Sequence, residues 1–403
     1  MTILHTADWH LGKILSHISL IKDQRHCIEQ ILGIIDAEKP DLMIIAGDIY
    51  DRSVPPAEAV ELFDYAMHEI IVRRGIPVCA IAGNHDSPER LHCYSTLLAQ
   101  HGLMIVGLLA QRTADGGYTL PVIPCFRLNH ADGPVEVYCF PFVDPQSMAF
   151  YTNDNSIKTF HHVFAWMQKH ITETSSAQSA DDKTSFVRRV LIAHGTVLGG
   201  DISESERLLS VGGVEQVPLD VFNQFHYVAL GHLHKPQSFR HDTVRYAGSP
   251  IKYSLSEKDY TKSVSMVTLS ATGACSVRSI PIIPLRDVRE LSAHIERGTL
   301  YDEAGARLPY TDDFVRVNLL NTEPILDAAQ IIRTVCPNMI DIQWINRQTP
   351  TTHISTLNHT TLRTQTPEYL LETFLGDLHG GSISHIQREY IHDIVRHAQT
   401  QQT

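Results

Sequence analysis

Five short clusters in this chain carry side chains able to ligate metal ions: Asp8-Trp9-His10, Gly47-Asp48-Ile49-Tyr50-Asp51, Gly83-Asn84-His85-Asp86, Ala193-His194-Gly195 and Gly231-His232-Leu233-His234. Asp8 and His10, two residues apart, can turn toward one ion. Asp48 is the natural bridge between two ions, because a carboxylate has two oxygens and its charge offsets adjacent cations. Asn84 offers a neutral carbonyl oxygen, and His194, His232 and His234 offer imidazole nitrogens. A mixed oxygen and nitrogen shell without thiolate suits manganese, iron or zinc better than calcium, and argues against an iron–sulfur or cysteine-zinc site. Any one cluster is weak: the chain has 24 histidines, asparagine and aspartate after a strand also form plain turns, and Gly-His-Leu-His alone could end a strand in packing histidines. Their conjunction points to one centre for two divalent ions.

The elements that must position these clusters are legible around them. Thr2 to Thr6, Leu42 to Ala46, Val78 to Ala82, Val190 to Ala193 and Tyr227 to Leu230 are short apolar runs with little polar alternation, as expected of strands covered on both faces. All the clusters but one directly follow such a run, and the exception starts inside its strand. Gln24 to Glu38 carries Cys27, Ile28, Ile31, Leu32, Ile34 and Ile35 near helical spacing; Pro55 and Pro56 open a second helical pattern from Ala57 to Val72. Alternating strands and helices predict a parallel sheet with crossover helices, its ligands at the strand ends where open sheets bind substrates. Glycines 47, 83, 195 and 231 are expected to turn the backbone sharply, at positive φ, beside the ions.

The chain resembles the calcineurin-like metallophosphoesterases, whose pattern is D-x-H, G-D-x-x-D, G-N-H-D or G-N-H-E, a lone histidine, and G-H-x-H. More closely it is similar to the nuclease subunits of bacterial SbcCD-type complexes, through H-T-A-D-W-H-L-G-K (5–13), G-D-I-Y-D-R-S-V-P-P (47–56), A-G-N-H-D-S-P-E-R-L (82–91), G-H-L-H-K-P-Q (231–237) and Y-A-G-S-P-I-K-Y-S-L-S-E (246–257). The resemblance is firm to about residue 260 and looser beyond. It implies an α/β fold, a four-layer sandwich of two central mixed sheets flanked by helices. Of two divalent ions, both expected to be Mn2+, one is then held by Asp8, His10, Asp48 and His234; the second is held by Asp48, Asn84, His194 and His232. His85 would stay off the metals and face the scissile phosphate or leaving group, where an imidazole can deliver a proton. Asp51 and Asp86 are expected behind the ligands, Asp86 orienting His85 or a ligating histidine. The products implied are a 5′-phosphate and a 3′-hydroxyl.

The substrate class is less legible, because many phosphodiesterases share such a centre. Thirty-three Lys and Arg against 45 Asp and Glu give a formal charge of −12, unlike a freestanding nucleic-acid binder. Metal ions and a partner can still supply the positive surface that DNA requires. Lys13, Arg52, Arg90, Lys235 and Lys252 lie close to the clusters and are candidate backbone contacts, with Lys13 and Arg52 preferred; solvated surface is the plain alternative for each. The family resemblance implies an exonuclease running 3′ to 5′ and an endonuclease at hairpins or blocked DNA ends. Such an enzyme acts in repair, recombination and replication with a coiled-coil ATPase of the SbcC type, as a homodimer within a heterotetramer. The alternative is hydrolysis of a cyclic nucleotide or other small phosphodiester, which would not require the long C-terminal extension.

Residues 1–284 are read as the nuclease domain, ending in a hairpin around Ser-Ala-Thr-Gly-Ala (270–274) that closes the second sheet of the sandwich. Residues 285–348 are read as a small α+β capping domain: a helix from Asp287 to Gly298, a strand from Phe314 to Leu320, a helix over Pro324 to Cys336 and a strand from Met339 to Asn346. Residues 349–403 are a threonine-rich linker to amphipathic helices at Pro367 to Leu378 and Ile383 to His397, which would dock the ATPase or simply pack on their own domain. His170 to Lys183 reads as a surface loop or fraying helix end, and Asp201 to Pro218 as a rim loop. Apolar residues in Ala57 to Val72 and Leu91 to Leu98 are a candidate homodimer patch, unless they face the core. Seven scattered cysteines, several in apolar runs, favour a reducing cytoplasm, and the family resemblance implies association with the nucleoid. An apparent absence of a signal peptide, a membrane-spanning run and a Gly-Lys-Ser/Thr phosphate loop agrees with that and leaves ATP dependence to the partner.

Overall fold

The computed structural model describes residues 1–114, 117–178, 186–206 and 216–345, together with 366, 368–372, 387–388, 390–392 and 395. β1 (Thr2–Thr6) leads through a small hairpin, β2 (Ile14–Leu15) and β3 (Ile18–Ser19), to α1 (Ile21–Glu38), β4 (Leu42–Ile45), α2 (Ala57–Met67), β5 (Val78–Ile81), α3 (Pro88–His92), α4 (Ser95–Ala99) and β6 (Leu103–Val106). There follow β7 (Cys125–Leu128), β8 (Val135–Phe140), α5 (Pro145–Thr152), α6 (Phe160–Gln178), β9 (Arg188–His194), β10 (Tyr227–Gly231), β11 (Gln237–Phe239), β12 (Val244–Tyr246), β13 (Ser263–Leu269) and β14 (Cys275–Pro281). The described remainder holds β15 (Val288–Glu296), β16 (Thr299–Tyr301), β17 (Phe314–Leu319), α7 (Ala328–Arg333) and β18 (Met339–Trp344).

Two six-stranded sheets dominate, in the orders β14-β13-β1-β4-β5-β6 and β11-β12-β10-β9-β8-β7. Both are mixed: β1, β4, β5 and β6 run parallel, as do β8, β9, β10 and β12, while β13, β14, β7 and β11 pair antiparallel. Their facing surfaces share one apolar core, with Ile3, Leu42, Ile44, Cys79 and Ile81 on one side and Val137, Cys139, Val190, Ile192 and Ala229 on the other. The outer face of the first sheet is covered by Cys27, Ile28, Ile31, Leu32 and Ile35 of α1 and by Leu62, Phe63 and Ala66 of α2. Phe160, Val163, Phe164, Met167 and Ile171 of α6 cover the second. Four layers result, with the central strands buried on both faces, which is why those strands read as continuous apolar runs.

Strand register decides where chemistry can sit. Thr6 lies opposite Ile45 and Ile45 opposite Ala80, so the segments after β1, β4 and β5 leave the first sheet at one edge. In the second sheet His194 lies opposite Gly231.

The chain divides into two compact units, one of Met1–Leu291, Pro309–Arg316 and Arg333–Asp341, the other of Ser292–Leu308, Val317–Ile332 and Ile342–Thr403. The first contains both large sheets. A further sheet has the order β16-β15-β17-β18.

Several expectations are corrected. The β13–β14 hairpin forms, but it pairs through Thr2↔Thr268 to Leu4↔Met266 onto β1 and so extends the first sheet, not the second. Asp287 to Gly298 is a strand rather than a helix. Val288, Leu291 and Ile295 fit helical spacing, yet Val288, Ala293 and Ile295 are the buried residues, and pairing of Ile295 with Leu300 on β16 settles the conformation. Helix Pro324 to Cys336 contracts to α7, and α6 continues as helix to Gln178 where a loop is one reading of the sequence. α2 does continue toward Val72, through a π-helical turn at His68–Arg73. The linker after 349 lies outside the described residues, as does most of both C-terminal helices. Among the described residues no helix is long and apolar enough to cross a membrane.

Candidate metal centre

The loop after β1 is laid onto the loop after β4 by backbone hydrogen bonds from Asp8 N to Gly47 O (3.0 Å), His10 N to Asp48 O (2.9 Å) and Leu11 N to Ile49 O (2.9 Å). These bonds hold Asp8, His10 and Asp48 at φ of 54°, 43° and 49°, and His232 sits at 103°. Left-handed backbone is uncommon for residues with side chains and costs on the order of 1–3 kcal/mol each, and its concentration here marks a functional centre. The strain thus falls on the candidate ligands themselves. Of the four glycines expected at positive φ, only Gly47 has it, at 91°. Gly83 and Gly231 are needed for space instead: a Cβ on Gly83 would lie 2.2 Å from Asp48 Oδ1, and one on Gly231 would lie 1.9 Å from Ala46 O. Gly195 has room for a side chain, with Phe164 as its nearest neighbour at 3.5 Å.

Two groups of candidate ligands converge. Donor atoms of Asp8, His10 and His234 lie within 4.8 Å of one another, as do those of Asp48, His194 and His232. Asp48 Oδ2 lies 3.5 Å from both His10 Nε2 and His194 Nε2, between the two groups. Asn84 Oδ1 is 3.0 Å from His194 Nε2 and 3.0 Å from His232 Nδ1, and His10 Nε2 faces His234 Nε2 at 3.1 Å. His194 Nδ1 donates to Ala46 O at 2.9 Å, which leaves its Nε2 lone pair for the centre. A third group, His10, Asp51 and His85, also meets the ligand spacing.

The donor set fits cations. Burial and the neighbouring Asp48 charge push Asp8 well above the usual carboxylate range, partly opposed by His194. Burial also resists charge on Asp48, but His194 and His10 outweigh it and hold Asp48 well below its ordinary value. Burial depresses His10 strongly, and burial with His194 brings His232 down to about 3. Asp8 Oδ2 is buried with no hydrogen-bond partner among the described residues. Buried Asp8 and Asp48 beside the depressed His10 and His232 imidazoles, with His194 the one held toward its charged form, are what divalent cations would relieve.

His194 supplies a test. Burial opposes its charge, but Asp48 and then Asp8 overcome that and raise it to about 9. Its proton must leave before Nε2 can ligate. Below pH 9, Mn2+ affinity at this site is therefore expected to rise by up to tenfold per pH unit, with about one proton released, and to level off above pH 9. Calorimetry in buffers of different ionisation enthalpy checks this; Mn2+ uptake without proton release between about pH 7 and 8 would contradict it.

Around the ligands, His85 Nδ1 donates to Asp51 O at 2.8 Å, and its ring meets His10 edge-on at 4.6 Å. Asp86 does not reach His85. It accepts from Gly83 N, Ile49 N and Tyr50 N at 2.9–3.1 Å and ties the two central loops together, with burial and the Asp48 charge raising it to about 7. Asp51 binds Lys13 Nζ at 2.9 Å, and Arg52, more than half exposed, approaches the same carboxylate at 3.9 Å. Arg90 is exposed on α3. Lys235 pairs with Asp201, and Lys252 is mostly buried against Asp287 at 2.8 Å. Of the five cations, Arg52 and Arg90 are the most open to solvent.

Several residues at the centre are not among the site residues expected from the sequence. Gln24 on α1 donates to Trp9 O and His10 O and accepts from Gly12 N, fastening the first ligand loop. Glu206, in the rim loop, accepts from His234 N at 2.6 Å. Ser205, Glu257 and Lys262 also converge behind His234. Glu257 closes the matched segment 246–257, but no spacing links such distant partners to the ligand loops.

Comparison with family models agrees with this geometry. A family model described as calcineurin-like phosphoesterase matches residues 1–236, and one described as type 5 capsule protein repressor C-terminal domain matches residues 277–377. The chain is similar to a Staphylococcus epidermidis protein named as a nuclease subunit of SbcCD, with 29% identity over 396 residues and 97% of each chain covered. Among solved structures, a dimetal phosphatase from Danio rerio matches with 11% identity and a TM-score of 0.42, over 70% of this chain and 96% of that one. A Haemophilus influenzae NAD nucleotidase matches with 13% identity and a TM-score of 0.36, over 86% of this chain and 57% of that one.

Proposed function

The chain belongs to the calcineurin-like phosphoesterases, and from that premise we propose that it is a Mn2+-dependent nuclease of double-stranded DNA ends, a 3′ to 5′ exonuclease that also opens hairpins and blocked ends. The coarser activity, metal-dependent phosphoester hydrolysis, follows from the family and the paired ligand groups. The observation that carries the finer reading is the match across almost the whole length of a relative named as an SbcCD nuclease subunit, together with the second family model over residues 277–377.

In this reading Asp8, His10, Asp48 and His234 hold one ion and Asp48, Asn84, His194 and His232 the other. When bound, the pair supplies Lewis-acid activation of water and charge stabilisation at phosphorus. Asp48, placed 3.5 Å from both His10 and His194, would serve both ions. His85, anchored through Nδ1 to the Asp51 carbonyl, presents its other nitrogen to protonate the departing oxygen. Arg52 and Arg90 meet the DNA backbone; Lys13 does so by exchanging its Asp51 partner, and Lys235 and Lys252 are the least available. A coiled-coil ATPase of the SbcC type docks on the C-terminal helices, residues 285–348 cap the DNA, and two copies of the chain associate. The exposed Val60, Tyr94 and Leu97 support a dimer patch, whereas Ala59, Leu62, Phe63, Ala66 and Met67 of α2 are committed to the core.

Cleavage of end-labelled hairpin and linear duplexes, with Mn2+ and with the ATPase present or absent, tests this reading. Both substrates are expected to be cut, the hairpin more efficiently with the ATPase. Two bound Mn2+ with no DNA cleavage in any mixture would move the assignment to a cyclic nucleotide or other small phosphodiester.

A further inference from the structure

Ser205 Oγ lies 2.6 Å from His234 Nδ1 and donates a short hydrogen bond to Glu257 Oε1. Glu257 is fully buried, and its second oxygen accepts from Lys262 Nζ, itself nearly inaccessible. Lys262 also donates to His234 O at 2.8 Å and to Ser249 Oγ at 2.7 Å, while Glu206 accepts from His234 N at 2.6 Å. Groups distant in sequence therefore grip one histidine at its amide, its carbonyl and its ring. The imidazole is also packed edge-on against Tyr253 at 5.6 Å.

We infer that Ser205, backed by the Glu257–Lys262 pair, is a positioning residue that sets the tautomer of His234 and so its power to bind a metal ion. A hydroxyl has one hydrogen. With that hydrogen given to the Glu257 carboxylate, Ser205 can only accept from His234, which places the imidazole hydrogen on Nδ1 and leaves the Nε2 lone pair facing His10 and Asp8. Lys262 balances the buried carboxylate, so that Glu257 stays an acceptor. The contrast with His194 is instructive: there a backbone carbonyl, Ala46 O, does the same work. His234 gains it from a side-chain relay, which mutation can reverse.

The relay rests on the two-metal reading above, and Mn2+ calorimetry separates the two. Ser205→Ala is expected to weaken one of the two Mn2+ sites about tenfold, because Glu257 Oε1, 3.5 Å from His234 Nδ1, replaces the hydroxyl only poorly. Ser205→Thr, which keeps the hydroxyl, should restore it. Glu257→Gln is expected to weaken the same site more, toward about 100-fold. Its amide oxygen faces Lys262 and its NH2 group donates to Ser205, which frees the serine hydrogen for His234 Nδ1 or for Ser203 Oγ, 2.9 Å away, so that a hydrogen on Nδ1 is no longer enforced. A merely structural role predicts a lower melting temperature of metal-free Ser205→Ala with unchanged Mn2+ affinities; that result would overturn the inference. If Glu257→Gln fails to fold, the Ala and Thr variants at 205 decide alone. A wild-type protein that takes up fewer than two Mn2+ would instead overturn the functional reading.

Discussion

Asp48→Asn is expected to reduce Mn2+ uptake from two ions to at most one and to lower DNA cleavage by at least about 10³-fold. The substitution keeps the shape of the side chain and one oxygen to accept from His85 N, a bond of 2.9 Å in the native protein. It removes the negative charge that lies 3.5 Å from both His10 and His194. Among the described residues no other carboxylate is placed to bridge the two groups: Asp8 belongs to one of them, Asp51 sits with His10 and His85, and Asp86 is committed to three backbone amides. Without Asp48, His194 also loses the partner that most strongly favours its protonated form, so its proton should become easier to remove in the metal-free variant. Loss of metal is thus separable from loss of a favourable ligand pKa. Titration calorimetry and manganese analysis after dialysis provide the measurement; two ions bound at native affinity would show that Asp48 is not the bridge.

The strands around this centre are legible in the sequence because burial on both faces leaves an unbroken apolar run, and the candidate ligands because each follows such a run or ends it. What the sequence leaves undecided has a physical cause in each case. Val288 to Glu296 fits two periods, and only pairing with β16 selects the strand. The turn at 270–274 announces the hairpin, but a turn does not say which sheet accepts it; the pairing with β1 does. Gly83 and Gly231 look like conformational glycines and prove to be spatial ones, since the Asp48 carboxylate and the Ala46 carbonyl approach from segments far away in sequence. The grip on His234 is hidden for the same reason: Ser205, Glu257 and Lys262 are ordinary polar residues until the fold buries them together.

His85 is where ligation and proton transfer must be told apart, because it shares a ligand-compatible group with His10 and Asp51. One observation favours proton transfer. Its Nδ1 is taken by the Asp51 carbonyl at 2.8 Å, as that of His194 is by Ala46, but it is only half-buried, whereas the histidines assigned to the metals are buried. A side chain that must meet an incoming strand needs that exposure; one that only completes a ligand shell does not. His85→Leu is therefore expected to bind two Mn2+ with native affinity while cleavage falls by about 10²–10⁴-fold, the range for loss of a positioned general acid. A substrate whose leaving group departs without a proton, such as a nitrophenyl ester, should lose far less. If the variant loses a metal ion instead, His85 is a ligand and the third group is the true second site. Equal losses on both substrates with both ions retained would assign His85 to binding phosphate rather than to protonating the leaving oxygen.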